Sequence, residues 1–147
     1  MKISTMLLAV AAATLLAAAP ARAQDEWLRE IVVRLDSVTA ALAGEGLSPV
    51  GEQHAARLRE WDSQEFDLRL AAGSYRMVGV CDSECLDLDL VLTRGGREVD
   101  NGVAVVDATP VLTFQLREAA SLTVRVIMDA CGMPVCGWGV GIYRVGG

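Results

Sequence analysis

Histidine, catalytic signatures and long apolar runs are all scarce in this sequence, and each scarcity excludes something. His54 is the single histidine of the 147 residues. Any Ser-His-Asp arrangement would have to use it, with Ser63, Ser74, Ser83 or Ser121 as nucleophile. None of those serines stands in the G-x-S-x-G setting of a strand-to-helix elbow. A phosphate-cradling loop is missing too, because GWGVG at 137–141 lacks the strand-turn-helix context that such loops need. No feature separates an acid of raised pKa from the many solvated ones. No catalytic residue is therefore assigned. Beyond the first two dozen residues there is no run of eighteen uncharged apolar residues, so no later segment is expected to span a bilayer.

Those first residues are organised. Lys2 gives a positive start, residues 3–19 are apolar or small, and Ala21-Arg22-Ala23 forms an A-x-A cleavage signal. Residues 1–23 read as a secretory signal peptide, with Gln24 as the first mature residue. Lys2 and Arg22 leave with it, so 11 basic residues then face 19 acidic ones, a net charge of −8. Such a chain repels phosphate backbones and anionic lipid surfaces, which speaks against nucleic acid as a partner. The expected location is periplasmic or secreted. The 124 residues left after removing 23 of 147 suit one domain with one core.

Four cysteines, Cys81, Cys85, Cys131 and Cys136, lie in the mature part. The spacings are C-x3-C and C-x4-C, not the C-x-x-C of a redox pair or a zinc knuckle. Export makes disulfides the default. Both pairs flank turn-like residues between strands, which favours local pairing of Cys81 with Cys85 and Cys131 with Cys136. Crossed pairing would instead join the two loops.

Residues 25–43 carry Trp27, Ile31, Leu35, Val38 and Leu42 at helical spacing, and Leu28 and Val32 widen the stripe. Asp25 and Glu26 suit the positive end of such a helix, and Gly44 suits its close. The N-terminal amphipathic helix is assigned to 24–46 and the following domain to 47–147. Residues 44–51 read as a linker, and 52–61 are ambiguous between a helical turn and a strand. From Gln64 the period becomes two. Strands are expected at 75–81, 86–93, 103–106, 111–116, 122–128 and 138–145, after a first one around Phe66, Leu68 and Leu70. Seven or eight short strands parted by turn residues point to a mainly β protein, an antiparallel jelly-roll-like β-sandwich.

Within the strand at 86–93, Leu86, Leu88, Leu90 and Leu92 take every second position and are expected to share the buried face. Asp87 and Asp89 then share the other face with Val91 and Thr93. They are either a solvated surface or two ligands of a calcium ion, the one metal the acids could take. Asp82, Glu84, Asp100, Asn101 and Asp107 could join them only if the loops converge. Gly137, Gly139 and Gly141 alternate along the last strand and leave one face bare. Such a face is expected either to seat a helix, such as 25–43, or to form a ligand groove.

The segments LRLAAGSYRMVGVCDSECLDLDLVLTRGGREV, DATPVLTFQL and LTVRVIMDACGMPVCGWGVGIY, taken in order, resemble the bacterial pre-peptidase C-terminal domain over about residues 61–145. The likeness is to a cysteine-bearing branch of small exported proteins. The resemblance implies a jelly-roll-like sandwich without catalytic activity, of the kind that accompanies secreted enzymes and aids localisation, secretion or polymer binding. The expected function is an exported module binding an envelope or extracellular protein or polymer, with no obligatory cofactor. The alternatives are a small secreted hydrolase using surface carboxylates and a calcium-responsive module. N-terminal sequencing of protein exported by its native host should begin at Gln24 or within a few residues; full-length protein retained in the cytoplasm would defeat the export reading.

Overall fold

A computed structural model describes residues 22–101 and 108–146. The strand expected at 103–106, most of the signal segment and Asp107 lie outside the described residues. Helix α1 spans Arg22–Gly44, and nine described strands follow: β1 Leu47–Pro49, β2 His54–Leu58, β3 Ser63–Leu70, β4 Gly73–Cys81, β5 Cys85–Arg94, β6 Arg97–Asn101, β7 Val111–Leu116, β8 Ala120–Cys131 and β9 Cys136–Val145. The ambiguous segment at 52–61 thus supplies a strand, and the linker contains the short β1. Strand β6 was not anticipated. It exists because Gly95 and Gly96, with φ of 56° and 76°, make the two-residue turn that folds Arg97 back onto Arg94.

All pairings are antiparallel and form two sheets. In the first, β9 lies between β4 and the pair β1 and β2, and β7 flanks β4; in the second, the order is β3-β8-β5-β6. Strands β2, β9, β4 and β7 facing β3, β8, β5 and β6 is the jelly-roll order, two interleaved Greek keys. Alternation makes the core. Met77, Leu112, Phe114, Trp138, Val140 and Ile142 of the first sheet meet Leu88, Leu90, Leu92, Val124, Val126 and Met128 of the second. Strand β8 shows the same logic on its other side, where Ser121 and Arg125 point to solvent.

Leu86 departs from the expected leucine row. It is 59% exposed, whereas Leu88, Leu90 and Leu92 are fully buried. The register between β5 and β8 shifts on both sides of Asp87. These irregularities break the period of two before Leu88 and turn Leu86 outward.

The first sheet is buried on both faces, because α1 covers the side away from the core. Ile31 and Leu35 pack on Val80, and Leu42 packs with Leu47, Val78 and Tyr143. Leu28 and Val32, at 40% and 42% exposure, lie on the outward flank instead of widening the buried stripe. The bare face of β9 is what lets the helix in. A Cβ on Gly139 would lie 2.5 Å from Ile31 Cγ2 and 2.9 Å from Leu35 Cδ1, and one on Gly137 would lie 2.7 Å from the Trp27 ring. At Gly141 the space is taken by Tyr143, whose hydroxyl is 3.0 Å from Thr39 Oγ1 on the helix. The helix ends where Glu45 and Gly46 N–H groups donate back to Leu42 and Ala43, and Gly46 turns with φ of 82°.

Gly139→Val should therefore lift α1 and cost about 1–3 kcal/mol by overpacking. Ile31→Ala should cost about 2–5 kcal/mol by leaving a cavity at the same contact. Urea unfolding of the two variants measures both. A neutral Gly139→Val would refute close seating of the helix.

Candidate functional site

Two of the crossings between the sheets lie at one end of the sandwich and carry the cysteines. Cys81 ends β4 in the first sheet and Cys85 opens β5 in the second; Cys131 ends β8 in the second and Cys136 opens β9 in the first. Each of these crossings is closed by a disulfide, Cys81–Cys85 with Cα atoms 5.8 Å apart and Cys131–Cys136 with Cα atoms 6.0 Å apart. The pairing is local. The two loops also touch: Cys85 pairs with Cys131 in the ladder, and the Gly132 N–H donates to Glu84 O at 2.8 Å.

Asp82 ties the first of these loops to β9. Its N–H donates to Gly137 O at 3.0 Å, its carbonyl accepts from the Cys85 N–H at 3.2 Å, and its Oδ2 accepts from the Gly137 N–H. The residue is 8% exposed, yet Oδ1 is buried with no hydrogen-bond partner in the protein. Asp82 lines a cleft of about 390 Å³ between this loop, the second disulfide loop and the start of the helix. Glu26, Glu30 and Glu84 add carboxylates, Met133 and Val135 an apolar wall, and Arg57 reaches over the Trp27 ring at 5.9 Å. Glu30 also pairs with Arg34 at 2.7 Å.

The β2–β3 turn opens at this same end of the sandwich. There Trp61 takes φ of 66°, an uncommon conformation for a bulky residue, and its ring is 75% exposed. The turn is held by Trp61 N–H to Met128 O at 2.7 Å and Met128 N–H to Asp62 O at 3.0 Å. Met133 at 54% exposure and Leu86 complete a set of outward apolar side chains. Sequence reading singled out neither Trp61 nor the isolated oxygen of Asp82.

Asp87 and Asp89 lie elsewhere, on the outer face of the second sheet. Asp89 is buried, and its carboxyl is pushed up to about 6 by burial, by a hydrogen bond shared with Asp129 of β8, and by the charges of Asp129 and Asp87. A hydrogen bond between two carboxyl groups needs one of them protonated, so this contact favours the neutral form of Asp89. Among the described residues no group of three or more His, Cys, Asp or Glu side chains is placed to hold a metal ion. His54 stacks on Phe66 with ring centres 3.9 Å apart, and partial burial pushes its pKa down against the pull of Glu52. Of the expected ligand face, Gly137 and Gly139 lie under the side chains of α1, and Gly141 lies under Tyr143.

No protein-family model matches the chain, and no curated protein matches it. A solved structure similar to it is the pre-peptidase C-terminal domain of a collagenase from Bacillus anthracis. Identity is 9%, the match covers 63% of this chain and 90% of that one, and the TM-score is 0.45.

The raised carboxyl has a pH signature. Asp89 binds its proton more tightly folded, at about 6, than at the ordinary 3.8. Its stabilising contribution is full below about pH 4, falls as pH rises through 6, and is gone above that. Asp89→Asn should remove the fall, matching the parent near pH 4 and exceeding it by on the order of 1–2 kcal/mol at pH 7.5. Denaturation curves across this range test the point; parallel pH profiles would contradict it.

Proposed function

We propose that the protein is an exported, non-catalytic β-sandwich module that binds a protein or polymer partner in the cell envelope or outside the cell. The disulfide-bearing end is the surface that makes contact. The observation that carries this reading is the presence at that end of the outward Trp61, Leu86 and Met133 and of the acid-lined cleft at Asp82. Large apolar side chains rimmed by polar groups on a rigid frame are the usual form of a protein contact surface. The opposite end differs: there β3 crosses to β4 and β7 to β8 without disulfides, beside the Gly95-Gly96 turn and an exposed ion pair of Arg94 with Glu118 at 2.8 Å.

Export is supported by the two formed disulfides, which suit an oxidising compartment. Among the described residues no helix is long and apolar enough to cross a membrane. A hydrolase using surface carboxylates would need its acid of raised pKa in a cleft. Here the carboxyl pair of Asp89 and Asp129 sits on the outer face of the second sheet, whereas the cleft at Asp82 opens on the side of α1.

The test is site-resolved cross-linking in the native host. A photo-reactive residue at position 133 should capture a defined envelope or extracellular partner, and one at position 118 should not. Equal capture from both positions, or none from either, would remove the basis for assigning function to this end.

A further inference from the structure

We propose that the outward face of α1 docks on the same face of a second copy of this chain, the two helices running antiparallel. This surface is separate from the outward apolar residues of the disulfide-bearing end, and the inference goes beyond the partner-binding reading.

The helix is the outermost layer over the first sheet, yet its far side is not wholly polar. Leu28 and Val32 are exposed on one flank, and beyond them Val33 is 63% exposed. Together with Arg29 they line a shallow depression on the helix surface. Single exposed apolar residues need no explanation, but a contiguous group does. Val32 and Val33 are also weak choices for wet helical positions, because branching at Cβ restricts their side chains in a helix. Burial against a partner would offset that weakness.

Charge identifies the partner. Arg29 stands three residues before Val32, and Asp36 three residues after Val33. At about 100° per residue all four fall on the side of the helix turned away from Ile31 and Leu35. Arg29 and Asp36 are exposed, and among the described residues neither has an ion-pair partner; the pair made within the helix joins Arg34 to Glu30. The order of cation, two valines and anion is complementary to itself when reversed. A twofold axis midway between Val32 and Val33 brings each Arg29 onto Asp36 of the other copy. Val32 then meets Val32 of the other copy, and Val33 meets Val33. Ala40, exposed farther along the same face, is small enough to let the helices approach. A self-complementary patch is what a twofold interface between identical chains requires. Parallel helices would set Arg29 against Arg29 and Asp36 against Asp36, so charge fixes the direction as well as the partner. An anionic lipid surface fits poorly, since the mature chain carries a net charge of −8 and Asp36 lies on this face.

One helix pair is a small interface, so a weak dimer is expected, half formed at on the order of 100 μM. Analytical ultracentrifugation of the exported, oxidised protein at up to about 1 mM measures it. Arg29→Glu and Asp36→Arg, each alone, should weaken the dimer about tenfold or more. The two changes combined in one chain rebuild the complementary pattern and should return association to within about threefold of the parent. Mixing the two single variants should give a heterodimer, because an all-acidic face then meets an all-basic one. Val33→Asp should abolish association, and Glu118→Lys should leave it unchanged. All the substituted positions are exposed, so circular dichroism should show each variant folded. A parent protein that stays monomeric throughout, a dimer indifferent to the single variants, or single-variant losses with no rescue in the combined chain would overturn the antiparallel pairing. Vesicle binding by a monomeric parent, lost in Val33→Asp, would overturn it too and give the face to lipid.

Discussion

The structure depends on how the chain crosses from one sheet to the other. A sandwich of this order is held by its core, but its ends are loops, and loops ordinarily carry the least stability. Here two of the crossings at one end, β4 to β5 and β8 to β9, are each closed by a disulfide and bonded to each other through Gly132 and Glu84. Each small ring contributes about 2 kcal/mol in the chain-entropy account. Position matters more than that sum. The bonds sit where β4 and β9, neighbours in one sheet, hand over to β5 and β8, neighbours in the other. They fix the spacing of the sheets, the depth of Asp82 and the posture of the residues around it.

The helix makes the same end asymmetric. The jelly roll alone would leave the outer face of its first sheet wet. Gly139 on β9 instead lets Ile31 and Leu35 approach to where a side chain would otherwise stand, and Gly137 does the same for Trp27. Seating the helix this closely brings Trp27 and Glu30 over the disulfide loops, so the cleft owes one wall to a packing solution made nearby. A glycine face in a strand is thermodynamically weak by itself. Burial of Ile31, Leu35 and Leu42 against Val78, Val80 and Tyr143 offsets that weakness.

Much of this was legible in the sequence, and the reasons differ by residue. The period of two marked β3, β4, β5, β7, β8 and β9, because in a sandwich the inward face must be apolar along every strand. The helical stripe of Trp27, Ile31, Leu35 and Leu42 pointed to α1, and the bare face of β9 suggested where it could dock. Local disulfide pairing followed from turns between strands. What stayed hidden depended on register and on contacts distant in sequence. Leu86 reads as a core residue until the irregular pairing around Asp87 turns it outward. Strand β6 lies in a segment too polar to show alternation, and only the paired left-handed glycines reveal it.

The site residues divide along the same line. Asp89 looked like half of a solvated or calcium-binding face, because its spacing from Asp87 is visible and its neighbour Asp129, forty residues on, is not. Once β8 places Asp129 beside it, burial and the neighbouring carboxyl raise Asp89 to about 6, and it becomes a titrating group. Asp82 shows the converse. In sequence it is one acid among four between Cys81 and Asp89, with nothing to set it apart. Only the fold shows that one oxygen caps the start of β9 while the other is left buried and undonated. Charge that a fold could leave in water, and buries instead, costs stability unless something compensates it. For Asp89 the compensation is internal, a raised pKa that lets it take up a proton beside Asp129. For Asp82 the protein supplies half, through the Gly137 N–H, and leaves the other oxygen buried without a donor.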